Sequence, residues 1–231
     1  MKCAFKNEIA AVFDDVFETD AFNYFVGFYN SQEFMFRSSG VWQKIWRIND
    51  GEFLAGAEID SRQLPVNNCY DWLHQQVYGL ATQHVQDIVG KEGEAWDHIV
   101  YRPYIYPVGS KISWHDDYGY SAACIFYCHR EWSPFWGGEL MIASTPSIDT
   151  IDTSQGGDDQ INRKFSKELL NHFGYGMYFG CNPNRLVFSK GGAWHAINRV
   201  DTSAGEHVRA SVVAFFKKSC PSEPAVQPSQ S

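Results

Sequence analysis

The sequence predicts a mostly β fold with some α-helix: a double-stranded β-helix (a jelly-roll, cupin-like core) supported by an N-terminal helical layer. The first observation behind this prediction is that short apolar runs alternate with turns rich in glycine and proline after residue 95. That pattern is typical of antiparallel sandwiches and barrels. The second observation is that the first 95 residues contain segments with helical spacing instead.

Two helices and two strands are predicted in the N-terminal layer. An aromatic-rich helix is expected at FNYFVGFYNSQEFMF, residues 22–36. A second is expected at residues 68–90, where apolar residues recur every four positions and Gly90 is a stop signal. The two strands, VWQKIWRI and EFLAGAEI, lie between these helices.

Seven strands are predicted in the core, separated by the turns PVGS, SPFWGG, CNPN and SKGG. They are DHIVYRPYIYPV, KISWHDD, SAACIFYCHR, GELMIAS, NRLVFS, AWHAINRV and HVRASVVAFF. We predict one domain with a support layer at 1–95, a core at 96–217 and a disordered tail at 218–231. An insert at 145–175 carries a predicted helix, RKFSKELLNHF, and its length is typical of a lid or binding loop.

The charge balance argues against nucleic acids and anionic membranes as partners. Lysine and arginine total 19 against 27 aspartate and glutamate, a formal net charge of -8, whereas such binders normally present a basic patch. No apolar run approaches the roughly 20 residues of a membrane span, and the opening segment does not resemble a secretory signal. The six cysteines are scattered, so reduced thiols and a cytoplasmic location are expected. The oligomeric state is not predicted.

Three residues form a candidate metal site. His115 and Asp117 are two positions apart in SWHDDYGY, so they share one face of a strand, and Asp116 points the other way. His195, after a separate strand and a glycine turn, fits as the second imidazole. Two imidazoles and one carboxylate are the ligand set of non-haem iron(II) oxygenases. His-x-Asp alone is a weak signal, and a half-buried strand histidine bonded to tyrosine or backbone is the alternative.

The order of the surrounding motifs strengthens this interpretation. From Tyr106 to Phe216 the chain carries YPVGS, WHDD, CIFYCHREW, WGGEL, NRLVFS, WHAINRV and VRASVVAFF. In these motifs and their order it resembles the iron(II)/2-oxoglutarate-dependent oxygenases, particularly their prolyl 4-hydroxylase-like branch. The N-terminal 95 residues carry no comparable signature.

The resemblance implies a role for each matching residue. It implies that the iron(II) ligands are His115, Asp117 and His195. Arg209 would form a bidentate pair with the distal carboxylate of 2-oxoglutarate, and Tyr127 would add a hydrogen bond to it. Tyr106 would line the cosubstrate pocket, and Ser211 is a possible further donor. Packing alone is the alternative for Tyr127 and Ser211.

The resemblance also implies an activity: a dioxygenase that uses Fe(II), 2-oxoglutarate and O2 to oxidise an unactivated C–H bond, with succinate and CO2 released. The Asp117 carboxylate favours hydroxylation over halogenation. We expect a small-molecule, amino-acid or natural-product substrate. The alternatives are a peptidyl or prolyl hydroxylase, an oxidative cyclase or desaturase on the same metal site, a zinc or manganese cupin, and a non-enzymatic jelly-roll binding module.

Overall fold

A computed structural model describes residues 1–38, 51–117, 119–144 and 175–219. Three predictions fall outside these ranges, in whole or almost so: the strand VWQKIWRI, the insert with its helix, and the C-terminal tail. No helix within the described ranges is long and apolar enough to cross a membrane.

The N-terminal part of the described chain contains both helices and strands. Its strands are β1 (Lys2–Lys6), β2 (Ala10–Asp14), β3 (Met35–Ser38), β4 (Glu52–Ala55) and β5 (Ile59–Asp60). Its helices are α1 (Thr19–Asn30), α2 (Cys69–Gln83) and α3 (Gln86–Val89).

The remaining strands of the described chain follow the predicted order. They are β6 (His98–Tyr106), β7 (Ile112–His115), β8 (Ala122–Tyr127), β9 (Leu140–Ala143), β10 (Gly176–Phe179), β11 (Leu186–Lys190), β12 (His195–Ile197) and β13 (Arg209–Lys217). Each of the seven predicted core strands is present, and β10 is a strand that the sequence pattern did not predict.

The strands form two antiparallel sheets in the described part of the chain. The larger sheet runs β1-β2-β11-β8-β13-β6-β4-β3, with β5 also paired to β6, and the smaller runs β10-β9-β12-β7. Strands β6 to β13 therefore contribute four strands to each sheet, which is the arrangement of a jelly roll. The predicted fold class is confirmed.

The first predicted helix is wrong at its C-terminal end. Helix α1 stops at Asn30, and β3 occupies residues that were predicted to be helical. The side chains of Ser31 and Gln32 donate hydrogen bonds to the Phe28 carbonyl, at 2.7 and 3.2 Å. These bonds satisfy a carbonyl that the next helical turn would otherwise have used.

The second predicted helix is divided in two. Asn68 and Asp71 form a capping box that starts α2. The N–H groups of His84 and Val85 both donate to the Leu80 carbonyl, which ends α2 before α3 begins. The predicted apolar face, which extends across both helices, is buried throughout: Leu73, Val77, Ala81, Val85 and Val89.

The N-terminal layer also contains two strands that were not predicted. Strand β2 pairs with β11 and extends the larger sheet, and β1 pairs with β2 at the edge. Every residue of β1 is exposed, so its sequence lacks the apolar alternation that marks a half-buried strand.

Two apolar cores lie on opposite faces of the larger sheet. On β8, Cys124 and Phe126 pack against the helices, whereas Ala123 and Ile125 face the interior between the sheets. This alternation follows from the two-residue period of a strand. The same strand thus supports the helical layer on one face and the jelly-roll interior on the other.

Phe126 connects the helical layer to the sheet. It is 1% exposed, and its ring lies 5.5 Å from that of Phe17, 6.2 Å from that of Phe22 and 5.1 Å from that of Phe25. We expect Phe126→Ala to lower the free energy of unfolding by about 3–5 kcal/mol, because it leaves a cavity in this core. Urea unfolding followed by circular dichroism measures the change.

Tyr24→Ala provides the matched control on the exposed side of α1. Tyr24 is 64% exposed, so we expect a loss below about 1 kcal/mol. Equal losses in the two variants would contradict the packing described here.

Candidate active site

Two histidines face each other across paired strands of the smaller sheet. In the antiparallel pairing of β12 with β7, His195 lies directly opposite His115, and their ring centroids are 4.3 Å apart. Both residues are 8% exposed. Cross-strand pairing therefore brings together two imidazoles that are 80 positions apart in the chain.

Asp117 completes the cluster from the loop after β7. Its Oδ1 lies 3.8 Å from His115 Nε2, and its Oδ2 lies 3.5 Å from His195 Nε2. One ligand atom from each of the three residues lies within 4.8 Å of the other two. The three predicted ligands thus come together, and their donor set fits an iron(II) ion held on one face.

Backbone carbonyls orient both imidazoles. His115 Nδ1 lies 2.8 Å from the Ser113 carbonyl oxygen, and His195 Nδ1 lies 2.9 Å from that of Ala193. Because a carbonyl oxygen only accepts, Nδ1 of each ring carries a proton. The tautomer that these bonds favour is the one in which Nε2 can bind a metal.

The cluster lies in the wall of a cavity of about 420 Å³. Apolar side chains from both sheets form its interior: Ile112, Ile125, Leu140, Ile197 and Val213. Polar side chains also line it: Glu58, Arg102, Tyr104, Asp116 and Tyr120. A concave, mostly apolar pocket with a few convergent polar groups is the usual form of a small-molecule site.

Asp116 lines the same cavity as Asp117, although strand alternation predicted that it points the other way. Strand β7 ends at His115, so the two-residue alternation does not continue through the aspartates. Burial, together with the nearby Asp117 carboxylate, raises the pKa of Asp116.

Arg209 lies beyond the apolar interior of the cavity and is completely buried. Its Nε donates to the Gly138 carbonyl at 2.8 Å, its Nη1 lies 3.3 Å from Ser211 Oγ, and its Nη2 lies 3.4 Å from the Tyr127 hydroxyl. The guanidinium carbon is 5.0 Å from the ring centroids of both Tyr106 and Tyr127. The residues matched to a cosubstrate site thus surround one buried cation.

Strand register explains this second grouping. Strand β13 places Arg209 opposite Tyr106 of β6 and Ser211 opposite Tyr127 of β8. Of these four residues Tyr106 lines the cavity, while the others are not part of its lining. Val213, on the same face of β13 as Arg209 and Ser211, lines it as well, so the guanidinium lies just past the cavity wall.

Within the described part of the chain, no carboxylate balances the charge of Arg209. No ion pair found among the described residues includes Arg209. Burial raises the pKa of both Tyr106 and Tyr127, so their hydroxyls are neutral and add no negative charge. A buried cation without a counter-ion is costly, and a bound anion would offset that cost.

His129 is a core residue beside Arg209 rather than a further metal ligand. Its Nε2 donates to the Cys181 carbonyl at 2.6 Å, and its Nδ1 accepts from the Ala210 N–H at 3.3 Å. Burial lowers the pKa of His129 to about 4, and the charge of Arg209 contributes to the shift. The imidazole is therefore neutral in the folded protein near neutral pH.

Sequence reasoning missed Glu58 and Arg102 as cavity residues. Arg102 precedes Tyr104 and Tyr106 by two and four positions on β6, so alternation could have placed it on their face. Glu58 directly precedes β5, and the pairing of β5 with β6 sets Ile59 opposite Tyr101, so Glu58 lies beside Arg102. Nothing in the local sequence indicates that contact.

Several solved structures share the fold of this chain. Neither a family model nor a curated protein matches the sequence. Among solved structures, a Pseudomonas putida prolyl-4-hydroxylase has a TM-score of 0.60 at 13% identity, over 90% of this chain and 92% of its own. A Trichoplax adhaerens prolyl hydroxylase, in complex with a peptide fragment of the hypoxia inducible factor oxygen degradation domain, has a TM-score of 0.58 at 12% identity, covering 92% and 84%.

A third solved structure is the non-heme α-ketoglutarate-dependent epimerase SnoN from nogalamycin biosynthesis. It matches with a TM-score of 0.57 at 11% identity, over 90% of this chain and 78% of that one. At these identities the likeness is one of fold. The protein has the fold of the 2-oxoglutarate- and Fe(II)-dependent oxygenases, as its motifs predicted.

Acid is expected to destabilise the protein through His129. The pKa of His129 is about 4 in the folded state against an ordinary 6.5, so the unfolded chain binds the proton more readily. The contribution of His129 to the free energy of unfolding is fully present above pH 6.5. It is lost as the pH drops from 6.5 to 4, by about 3 kcal/mol in total. Urea unfolding at a series of pH values measures this loss.

His129→Gln isolates this contribution because glutamine does not titrate. We expect the difference in unfolding free energy between wild type and this variant to shrink across the same pH range. His207→Gln, at a partly exposed position, should follow the wild-type curve. An unchanged difference between wild type and His129→Gln would show that His129 is not held neutral by burial.

Proposed function

We propose that the protein is an iron(II)- and 2-oxoglutarate-dependent dioxygenase that hydroxylates an unactivated C–H bond of a small-molecule substrate. The observation that supports this most strongly is the pairing of two sites around one cavity. One is the cluster of His115, Asp117 and His195, and the other is the buried cation of Arg209, which pairs with no carboxylate among the described residues. The overall reaction converts substrate C–H, 2-oxoglutarate and O2 into substrate C–OH, succinate and CO2.

The metal-ligand cluster has the composition that iron(II) requires. Two neutral imidazoles and one carboxylate would hold the ion, with Asp117 offsetting one of its charges. The hydrogen bonds from Nδ1 of His115 and His195 to backbone carbonyls would fix the ligand rings. When bound, the iron supplies the activation of O2 that couples decarboxylation of 2-oxoglutarate to oxidation of the substrate.

Arg209 would bind the distal carboxylate of 2-oxoglutarate. Its Nη1 and Nη2 atoms make long hydrogen bonds, of 3.3 and 3.4 Å, to Ser211 and Tyr127, and a carboxylate is the group that a planar guanidinium binds best. The hydroxyls of Ser211 and Tyr127 would donate to the same carboxylate. The apolar side chains that line the cavity would exclude water from the reacting groups.

The rival functions use less of this arrangement. A non-catalytic jelly-roll module or a zinc or manganese cupin needs no buried arginine beyond the metal cluster. An oxidative cyclase or desaturase uses the same ligands, and the fold is shared with an epimerase, so product analysis distinguishes these outcomes. A gain of one oxygen atom marks hydroxylation, whereas a loss of two hydrogens marks desaturation or ring closure.

Asp117→Ala tests the metal site. Anaerobic addition of iron(II) and 2-oxoglutarate to the wild-type protein should produce a visible charge-transfer absorption, because the oxo acid chelates the bound ion. We expect the absorption to vanish in Asp117→Ala, which removes one of three protein ligands. Asp116→Ala, at the adjacent carboxylate, should retain it. Absence of the band in wild type, or its persistence in Asp117→Ala, would refute the proposed site.

Arg209→Gln tests the cosubstrate site separately. We expect this change to weaken 2-oxoglutarate binding by roughly tenfold or more, because it removes a charge-assisted pair. Calorimetric titration of the anaerobic protein holding Mn(II) measures the affinity, and Mn(II) binding without 2-oxoglutarate should be retained. Arg185→Gln, at an arginine that precedes β11 and pairs with Asp14 of β2, is the control. Unchanged 2-oxoglutarate affinity in a folded Arg209→Gln protein would rule out the assigned role.

A further inference from the structure

The cavity carries a pair of opposite charges far from Arg209. Arg102 Nη1 donates to Glu58 Oε1 at 2.9 Å, and both residues line the cavity with the metal-ligand cluster. In the pairing of β6 with β13, Tyr106 lies opposite Arg209 and Arg102 lies opposite Val213. Four residues along a strand span about 13 Å, so the two arginines mark separate binding positions.

Arg102 uses little of its hydrogen-bonding capacity. Within the described part of the chain, its side chain makes one hydrogen bond, to Glu58, although a guanidinium offers five donors. Its Nε is the one buried side-chain nitrogen or oxygen atom in the described residues that has no hydrogen-bond partner. Buried donors are normally satisfied, and an acceptor placed against this side of the guanidinium would satisfy it.

Glu58 supplies the opposite charge at the same position. Its side chain is 54% exposed, and its Oε2 takes no part in the bond to Arg102, which uses Oε1. A ligand with only a carboxylate would meet repulsion from Glu58, and a ligand with only an ammonium would meet repulsion from Arg102. A zwitterion matches both charges.

We propose that the substrate is a free α-amino acid, with its carboxylate bound by Arg102 and its ammonium by Glu58. The amino-acid side chain then extends towards His115, Asp117 and His195, which line the same cavity. This inference rests on the proposed oxygenase function and names the substrate class for that site. An amino-acid residue inside a peptide has neither a free α-ammonium nor a free α-carboxylate. It would therefore leave both Glu58 and Arg102 unmatched.

Binding of matched free and blocked amino acids tests the inference. The protein is loaded anaerobically with iron(II) and 2-oxoglutarate, and calorimetry measures binding of the proteinogenic L-amino acids and of their N-acetyl amides. We expect at least one free amino acid to bind and, once O2 is admitted, to stimulate succinate release. Its N-acetyl amide should bind roughly 10- to 100-fold more weakly, because two charge-assisted contacts are lost. Equal binding of the blocked form, or no binding by any free amino acid, overturns the proposal.

Variants of the pair locate the binding position. We expect Arg102→Gln and Glu58→Gln each to weaken binding of that amino acid roughly tenfold or more, while 2-oxoglutarate affinity stays unchanged. Arg62→Gln, at an exposed arginine paired with Asp60, is the matched control and should bind as wild type does. Wild-type amino-acid affinity in both pair variants overturns the assignment.

The charge-transfer absorption separates the two levels of the proposal. If the band forms with iron(II) and 2-oxoglutarate but no free amino acid binds, the substrate class is wrong and the oxygenase function stands. If the wild-type protein forms no band, the proposed function itself fails.

Discussion

The pairing of β12 with β7 is the constraint on which the candidate site depends. It sets His195 opposite His115, whereas two positions further along β12, Ile197 lies opposite Ile112 rather than residue 113. This irregularity places one extra residue on β7, as in a β-bulge. Ile112 and His115 are three positions apart, so strict alternation would place them on opposite faces, yet both line the cavity. The bulge thus lets one short strand present both an apolar wall residue and a candidate metal ligand to the cavity.

A second constraint is that the central strands are buried on both faces. Strand β13 sends Ala210 and Val212 into the helical core, and the alternate positions carry Arg209 and Ser211 inward. The Arg209 side chain fits there because Gly138 has no Cβ: a Cβ at that position would lie 3.0 Å from the Arg209 Cδ. Gly138 also adopts a φ of +76°, which favours glycine. The glycine thus provides both the space for the arginine side chain and the carbonyl that accepts from its Nε. The fold thus keeps the charged side chain of Arg209 completely buried.

Sequence reasoning recovered the parts of the structure that depend on local pattern. Core strands such as β8 and β13 are buried along almost their whole length, so they appear as continuous apolar runs between turns. Strands β1 and β10 are largely exposed and carry no such signal. The three candidate metal ligands, which the structure brings together, were predicted because motif order supplements a weak dipeptide spacing. The Glu58–Arg102 pair spans 44 positions and depends on strand pairing, which one sequence does not display.

The placement of charge would allow an acidic protein to hold the proposed anionic cosubstrate. A net charge of -8 disfavours anions at long range, but a buried guanidinium acts at short range in a medium of low dielectric constant. In the proposed function, Asp117 would offset charge on the metal and Arg209, just past the cavity wall, would offset the distal carboxylate, while Arg102 with Glu58 forms a pair of zero net charge. A zwitterion is the ligand that enters such a pair without leaving either charge unmatched. The Arg102–Glu58 pair and a zwitterionic amino acid each have zero net charge. The pair would therefore select its ligand by the pattern of charges and not by the total charge.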